Sequence, residues 1–205
     1  MEIIKPYFIV EGEIDGEQIL RNLERYGRTC YKSEDKITPD SARKFVASIL
    51  ASGHESVIEH EKVTVRVICD RGVTHEIVRH RIASYSQEST RYCNYRSHGV
   101  QVIEPFFFVG DDTKYQIWLS AMHACEKAYH ALIEVGATPQ EARTVLPNSL
   151  KTEIVITYNL REWRLFFTQR CSKRAHPQMR EITIPLLREF QLRIPVIFDD
   201  ITAEE

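Results

Sequence analysis

The sequence contains no apolar run near the ~20 residues that a membrane-spanning helix needs. Its first residues, MEIIKPYFIVEGEIDGE, lack a basic start followed by an apolar stretch, so no secretory signal is expected. The cysteines are Cys30, Cys69, Cys93, Cys125 and Cys171: odd in number, widely spaced and without a C-x-x-C pair. That disfavours a disulfide framework or a zinc site and predicts reduced thiols in a cytoplasmic protein. Neither charge sign is in large excess, with 27 Lys and Arg against 29 Asp and Glu, and a net charge of −2. A general nucleic-acid-binding surface would need more basic residues. No G-x-G-x-x-G, G-x-x-x-x-G-K-[ST] or G-x-S-x-G occurs, which excludes the usual Gly-rich phosphate cradles and the hydrolase nucleophile elbow. HEIVRH resembles the metalloprotease H-E-x-x-H, but His75 and His80 are five apart. On a helix that separates them by about 140°, so no metal site is expected.

What is present is an ordinary globular composition, 43% apolar and 27% charged over 205 residues. This length suits one domain spanning 1–205. KPYFIVEG and EKVTVRVICD read as strands, the second through alternating Val63, Val65 and Val67, and TEIVITYN is a further β-branched run. DGEQILRNLERYG, TPDSARKFVASILASG and DDTKYQIWLSAMHACEKAYHALIEVG read as helices, the last closed by Gly136. Asn159 followed by Glu162 predicts a capping box opening LREWRLFFTQR, and Pro177 predicts a break at His176. The fold class expected is mixed α/β (α+β), a non-Rossmann domain with a central sheet flanked by helices.

The most unusual stretch is RHRIASYSQESTRY, residues 79–92: three arginines, a histidine, a glutamine and four small hydroxyl residues, with Glu88 the only acid. Read as a helix of about 100° per residue, Val73–Tyr85 places Val73, Ile77, Val78, Ile82 and Tyr85 on one face. Arg81 then falls within the apolar arc and Arg79 points roughly 200° away. A desolvated guanidinium demands an anion, so Arg81 should have either a bound anionic ligand or a core glutamate. If SQESTR is extended, Gln87, Ser89 and Arg91 project to one side, donors suited to a phosphate or a polar base edge; a solvated loop is the alternative.

Arg79-His80-Arg81, seven residues, then Ser89 reproduces R-H-R-x7-S, and in this the chain resembles the flavin-dependent thymidylate synthases. SGHESVIEH (52–60) is similar to that family's G-H-x-S/T-x-x-E-H segment. EARTVLPNSLKTEIVITYNLREWRLFFTQR (141–170) is similar to its A-R-x-x-L-P segment with the strand, Asn-x-Arg pair and distal arginine that follow. The resemblance implies methylation of dUMP to dTMP, with 5,10-methylenetetrahydrofolate as carbon donor, FAD carrying the hydride and NADPH as reductant. It implies FAD contacts from Ser56, Arg79, His80, Arg81, Gln87, Asn159, Arg161 and Leu165, with His54 and Glu59 near flavin and folate. It implies dUMP contacts from Glu76, Ile77, Val78, Arg79, Gln87, Glu88, Ser89, Thr90, Arg91, Arg143 and Arg170. Arg170 would be the catalytic residue, stabilising charge on the pyrimidine without a covalent cysteine. A homotetramer with sites shared between chains is also implied, with Arg143 and the 87–91 segment supplied by different chains.

Several positions depart from the family pattern. Gln87 stands where many relatives carry Glu, Glu76 where many carry Gln, and Leu165 where His or Asn is common. RCSKRAHPQMREI is longer than the usual segment, which makes Arg174 a second candidate for the role of Arg170. Two other readings stay open: a nucleic-acid-binding module using Arg79, Arg81, Arg91 and Arg96, and a flavoprotein of this fold without methylation activity. No membrane or nucleic-acid partner is expected from the family.

Overall fold

The computed structural model describes residues 1–96 and 99–204. In chain order the elements are β1 (Glu2–Ile4), β2 (Tyr7–Glu11), α1 (Gly16–Thr29), α2 (Ser41–Ala51), β3 (Lys62–Asp70), α3 (Arg71–Ile77) and β4 (Ala83–Gln87). They continue with β5 (Gln101–Ile103), α4 (Asp112–Glu134), α5 (Pro139–Ala142), β6 (Lys151–Asn159), α6 (Leu160–Arg170) and α7 (Pro177–Arg193). One sheet has the strand order β2-β3-β6-β4, and β1 pairs with β5 in a separate parallel pair. The mixed α/β class read from the sequence is the one observed.

Local chemistry sets most boundaries. Asp15 starts α1 by accepting from Gln18 N at 2.9 Å, Asp70 starts α3 from Val73 N at 2.8 Å, and Asn159 starts α6 from Glu162 N at 2.8 Å. Pro177 opens α7 behind His176, and Gly136, at φ 95°, follows the end of α4. The capping box expected at Asn159 is half made. The Glu162 carboxylate lies 2.9 Å from His80 Nδ1, where a full box would return it to the cap.

The chain clusters into two compact units. One comprises 1–8, 66–79 and 85–155, and its core joins Val100, Val102, Trp118, Met122 and Leu150. The other comprises 9–65, 80–84 and 156–205. Its core is aromatic: Tyr158, Trp163, Phe166, Phe167, Phe190 and Phe198 are almost fully buried, and Trp163 lies 4.6 to 5.5 Å from four of the other rings. Each such pair contributes about 0.5–1.5 kcal/mol beyond its area burial. Gly27 of α1 lets α2 pack close, because a Cβ would sit 2.7 Å from the Phe45 ring and force it to shift.

The helix expected over Val73–Tyr85 is overturned. Helix α3 ends at Ile77, Val78 caps it, and the chain re-enters the sheet as β4 from Ala83. Val73 and Ile77 are buried as one helical face, but Val78 is 42% and Ile82 66% exposed. Arg81 is exposed, outside any apolar arc, and has no ion-pair partner among the described residues. The extended reading of SQESTR holds only through Gln87. A turn follows, in which Tyr92 N and Cys93 N both donate to Ser89 O, so Ser89 and Arg91 do not continue the strand.

Candidate active site

In the unit that carries α6, a groove of about 510 Å³ is lined by Glu55, Glu59, Ile82, Asn159, Arg161, Glu162, Arg164, Leu165 and Thr168. Four expected cofactor residues, Glu59, Asn159, Arg161 and Leu165, come together there. Arg161 Nη1 donates to Glu59 at 2.6 Å and its Nε lies 3.5 Å from Glu55. Arg164 forks onto Asp200, at 2.6 and 2.7 Å, and also reaches Glu55 at 3.3 Å. The apolar side chains of Ile82 and Leu165 are substantially solvent-exposed at this groove. His54, Ser56 and Arg81 are exposed and do not line it.

His80 behaves differently from the arginines beside it in sequence. It is buried, with Nδ1 at 2.9 Å from Glu162 and Nε2 accepting from Arg170 Nε at 3.2 Å. Burial pushes its pKa below the ordinary value; the Glu162 hydrogen bond opposes this, and the Arg170 cation adds to it. The imidazole is therefore neutral at pH 7. Arg170 is half-buried, whereas Arg174 lies on the exposed turn after α6.

The other unit holds the expected substrate residues apart from Arg170. Gln87 Nε2 donates to Thr74 Oγ1 at 3.0 Å and to Thr152 Oγ1 at 3.3 Å, both hydroxyls being buried. Glu88 is fully engaged, accepting from Tyr95 Oη at 2.8 Å and Lys151 Nζ at 2.9 Å. Gln87 and Glu88 line a groove of about 310 Å³ with Arg66, Ser86, Glu153 and Val155, and Arg66 pairs with Glu153. Ser89 Oγ accepts from Arg91 N at 3.3 Å, and the Arg91 guanidinium is exposed over the Tyr92 ring. Thr90 Oγ1 accepts from Arg143 Nη1 at 3.4 Å. Arg143 thus reaches the 87–91 segment of its own chain. On α3, Glu76 is partly buried, Ile77 is buried with its carbonyl accepting from Tyr85 Oη at 2.8 Å, and Val78 and Arg79 are exposed. Like Arg81, Arg79 has no ion-pair partner among the described residues.

Sequence reasoning missed Glu162, Thr74 and Thr152. Glu162 carried one signal, its place three residues after the Asn159 cap; the two threonines carried none. No cluster of His, Cys, Asp or Glu suited to a metal occurs among the described residues, nor any helix long and apolar enough to cross a membrane.

A family model described as thymidylate synthase complementing protein matches residues 16–196. The flavin-dependent thymidylate synthase of Geobacter sulfurreducens is 38% identical over 180 residues, covering 84% of this chain and 78% of that protein. That of Corynebacterium glutamicum is 32% identical over 213 residues, covering 95% and 84%. Among solved structures, the UMP/dUMP methylase PolB from Streptomyces cacaoi, bound with 5-Br dUMP, has a TM-score of 0.81 at 21% identity. That likeness covers 97% of this chain and 96% of PolB and bears on the fold alone.

Proposed function

This chain belongs to the thymidylate synthase complementing protein family, that of the flavin-dependent thymidylate synthases, and we propose that it converts dUMP to dTMP with FAD, 5,10-methylenetetrahydrofolate and NADPH. The observation that carries the reading is the pair of exposed guanidiniums, Arg79 and Arg81, without ion pairs among the described residues and flanking the buried His80. Water alone satisfies exposed guanidiniums, but two of them in one R-H-R motif offer a phosphate-bearing ligand charge-assisted hydrogen bonds.

The residues present fit a flavin dinucleotide. Exposed Ile82 and Leu165 offer an apolar surface to a flat ring system. Asn159 uses Oδ1 to cap α6, which leaves its amide N–H groups as donors. When bound, the flavin supplies hydride transfer. The protein's own part is orientation and charge: Ser89, Thr90, Arg91 and Arg143 hold the nucleotide's anion, and Gln87 receives one of its hydroxyl or N–H donors. Arg170 stabilises negative charge developing on the pyrimidine as C5 becomes nucleophilic. A homotetramer is the assembly we propose, and Phe106, Phe107 and Val109 form an exposed apolar patch suited to burial between copies.

The test is direct. Protein reconstituted with FAD should retain a flavin spectrum that bleaches on anaerobic NADPH addition, and should then form dTMP from dUMP and methylenetetrahydrofolate. Flavin that bleaches without dTMP formation would reduce the reading to a flavoprotein of this fold. No retained flavin would remove it altogether.

A further inference from the structure

Helix α6 places Glu162, Phe166 and Arg170 four residues apart, on one face over two turns. His80 sits against that face. Glu162 holds its Nδ1 at 2.9 Å, Arg170 its Nε2 at 3.2 Å, and the Phe166 ring meets it edge-on with centroids 5.0 Å apart. Tyr158 of β6 faces the ring at 6.1 Å, so Glu162, Arg170 and Tyr158 are titratable groups that face it. Glu162 and His80 are both buried.

Hydrogen-bond direction sets the His80 tautomer. The Arg170 Nε–H can only donate, so His80 Nε2 must present a lone pair. The ring proton is then on Nδ1, where it donates to a Glu162 carboxyl oxygen. A protonated imidazole would turn an Nε2–H against Arg170 Nε–H and place two cations in contact.

From this we infer that Glu162 and His80 are positioning residues for Arg170, an imidazole relay that fixes the plane of the guanidinium to be used on the pyrimidine. The inference deepens the proposed role of Arg170 and rests on it. It also gives His80 a duty distinct from the flavin contacts of Arg79 and Arg81. A plain helix-end arginine serving the macrodipole would need neither partner.

The relay can be read without turnover. In protein labelled with ¹⁵N-histidine, with the signal assigned through His80→Asn, the His80 ring should be the neutral Nδ1–H tautomer at pH 7. It should gain a proton only below the ordinary value of 6.5. In turnover, Glu162→Gln should depress dTMP formation about 10–100-fold further than NADPH oxidation, the size of loss seen when the partner behind a functional ligand is removed. Glu162 raises the imidazole pKa, so its loss should move the acid limb of dTMP formation to lower pH. His80→Gln, which keeps an acceptor near the Nε2 position, should retain more dTMP formation than His80→Asn. An imidazolium or the Nε2–H tautomer at pH 7 would overturn the relay, and so would parallel losses of both activities in Glu162→Gln. A wild type that makes no dTMP would sink the proposed function instead, and the tautomer would still decide the relay.

Discussion

Replacing Thr74 by Val tests whether the orientation of the Gln87 amide is built into the fold. The Thr74 hydroxyl donates to Arg71 O at 2.8 Å, so its oxygen is left to accept, and it accepts from Gln87 Nε2 at 3.0 Å. Thr152 accepts from the same nitrogen at 3.3 Å. With both threonines facing the NH2 group, Gln87 Oε1 points away from them and has no partner among the described residues. A site of this form offers an acceptor to a ligand's hydroxyl or N–H. Valine matches threonine in shape but leaves the Arg71 carbonyl and the Gln87 amide each short of one partner, in a place that is 1% exposed. Such a loss costs about 1–3 kcal/mol of stability, measurable by urea denaturation. With only the longer Thr152 contact remaining, the amide is free to invert. The ligand then loses one neutral hydrogen bond of about 0.5–1.5 kcal/mol, roughly 2–13-fold in Kd for dUMP by calorimetric titration. With Thr74 in place, Gln87→Glu, the residue of many relatives, should not strengthen dUMP binding. The Thr74 proton cannot serve both the Arg71 carbonyl and a new carboxylate. If Thr74→Val loses stability as expected yet binds dUMP with unchanged affinity, the oriented-acceptor reasoning is wrong.

Arg170→Ala should lower dTMP formation by roughly 10²–10³, and far more than NADPH oxidation, while Arg174→Ala, on its exposed turn, should be mild; steady-state assays of both reactions decide, and the reverse ranking moves the role to Arg174. A protein with all five cysteines replaced by Ser or Ala, verified as folded, should keep forming dTMP, because burial pushes the Cys69 and Cys171 thiols up and away from the thiolate; loss in one stable single variant would contradict this. Arg91→Ala and Arg143→Ala should each be nearly inactive yet regain partial activity in mixed assemblies verified by mass; no restored activity would assign Arg143 to the site of its own chain, where it meets Thr90.

Elements whose signal is local were legible. The alternation of β6 is one, and its burial alternates residue by residue along the strand. The start of α6 is another, because an Asn cap acts within three residues. Val73 and Ile77 also read correctly, but a helical wheel has no means of knowing that the chain turns after Val78 and re-enters the sheet, so Ile82 and Arg81 were placed inward. The family motif located the arginines without revealing that His80 between them faces the interior. What was illegible were contacts between distant residues: Glu162 with His80, Lys151 with Glu88, and Thr152 with Gln87. Each joins side chains whose own sequence neighbourhoods say nothing of the partner.

Gly16 carries a consequence for the order of folding during synthesis. A Cβ there would lie 2.0 Å from Arg193 O, so the first turn of α1 docks directly against the backbone at the end of α7. Within residues 156–205 the aromatic core joins Trp163 to Phe190 and Phe190 to Phe198. The Gly16 end of α1 must therefore wait for its final neighbour until residues 156–205 have left the ribosome, whereas the unit ending at Val155 can close sooner. A pause in translation beyond residue 155 would leave the Gly16 end of α1 without the α7 backbone that covers it, and a chaperone would find its binding surface there.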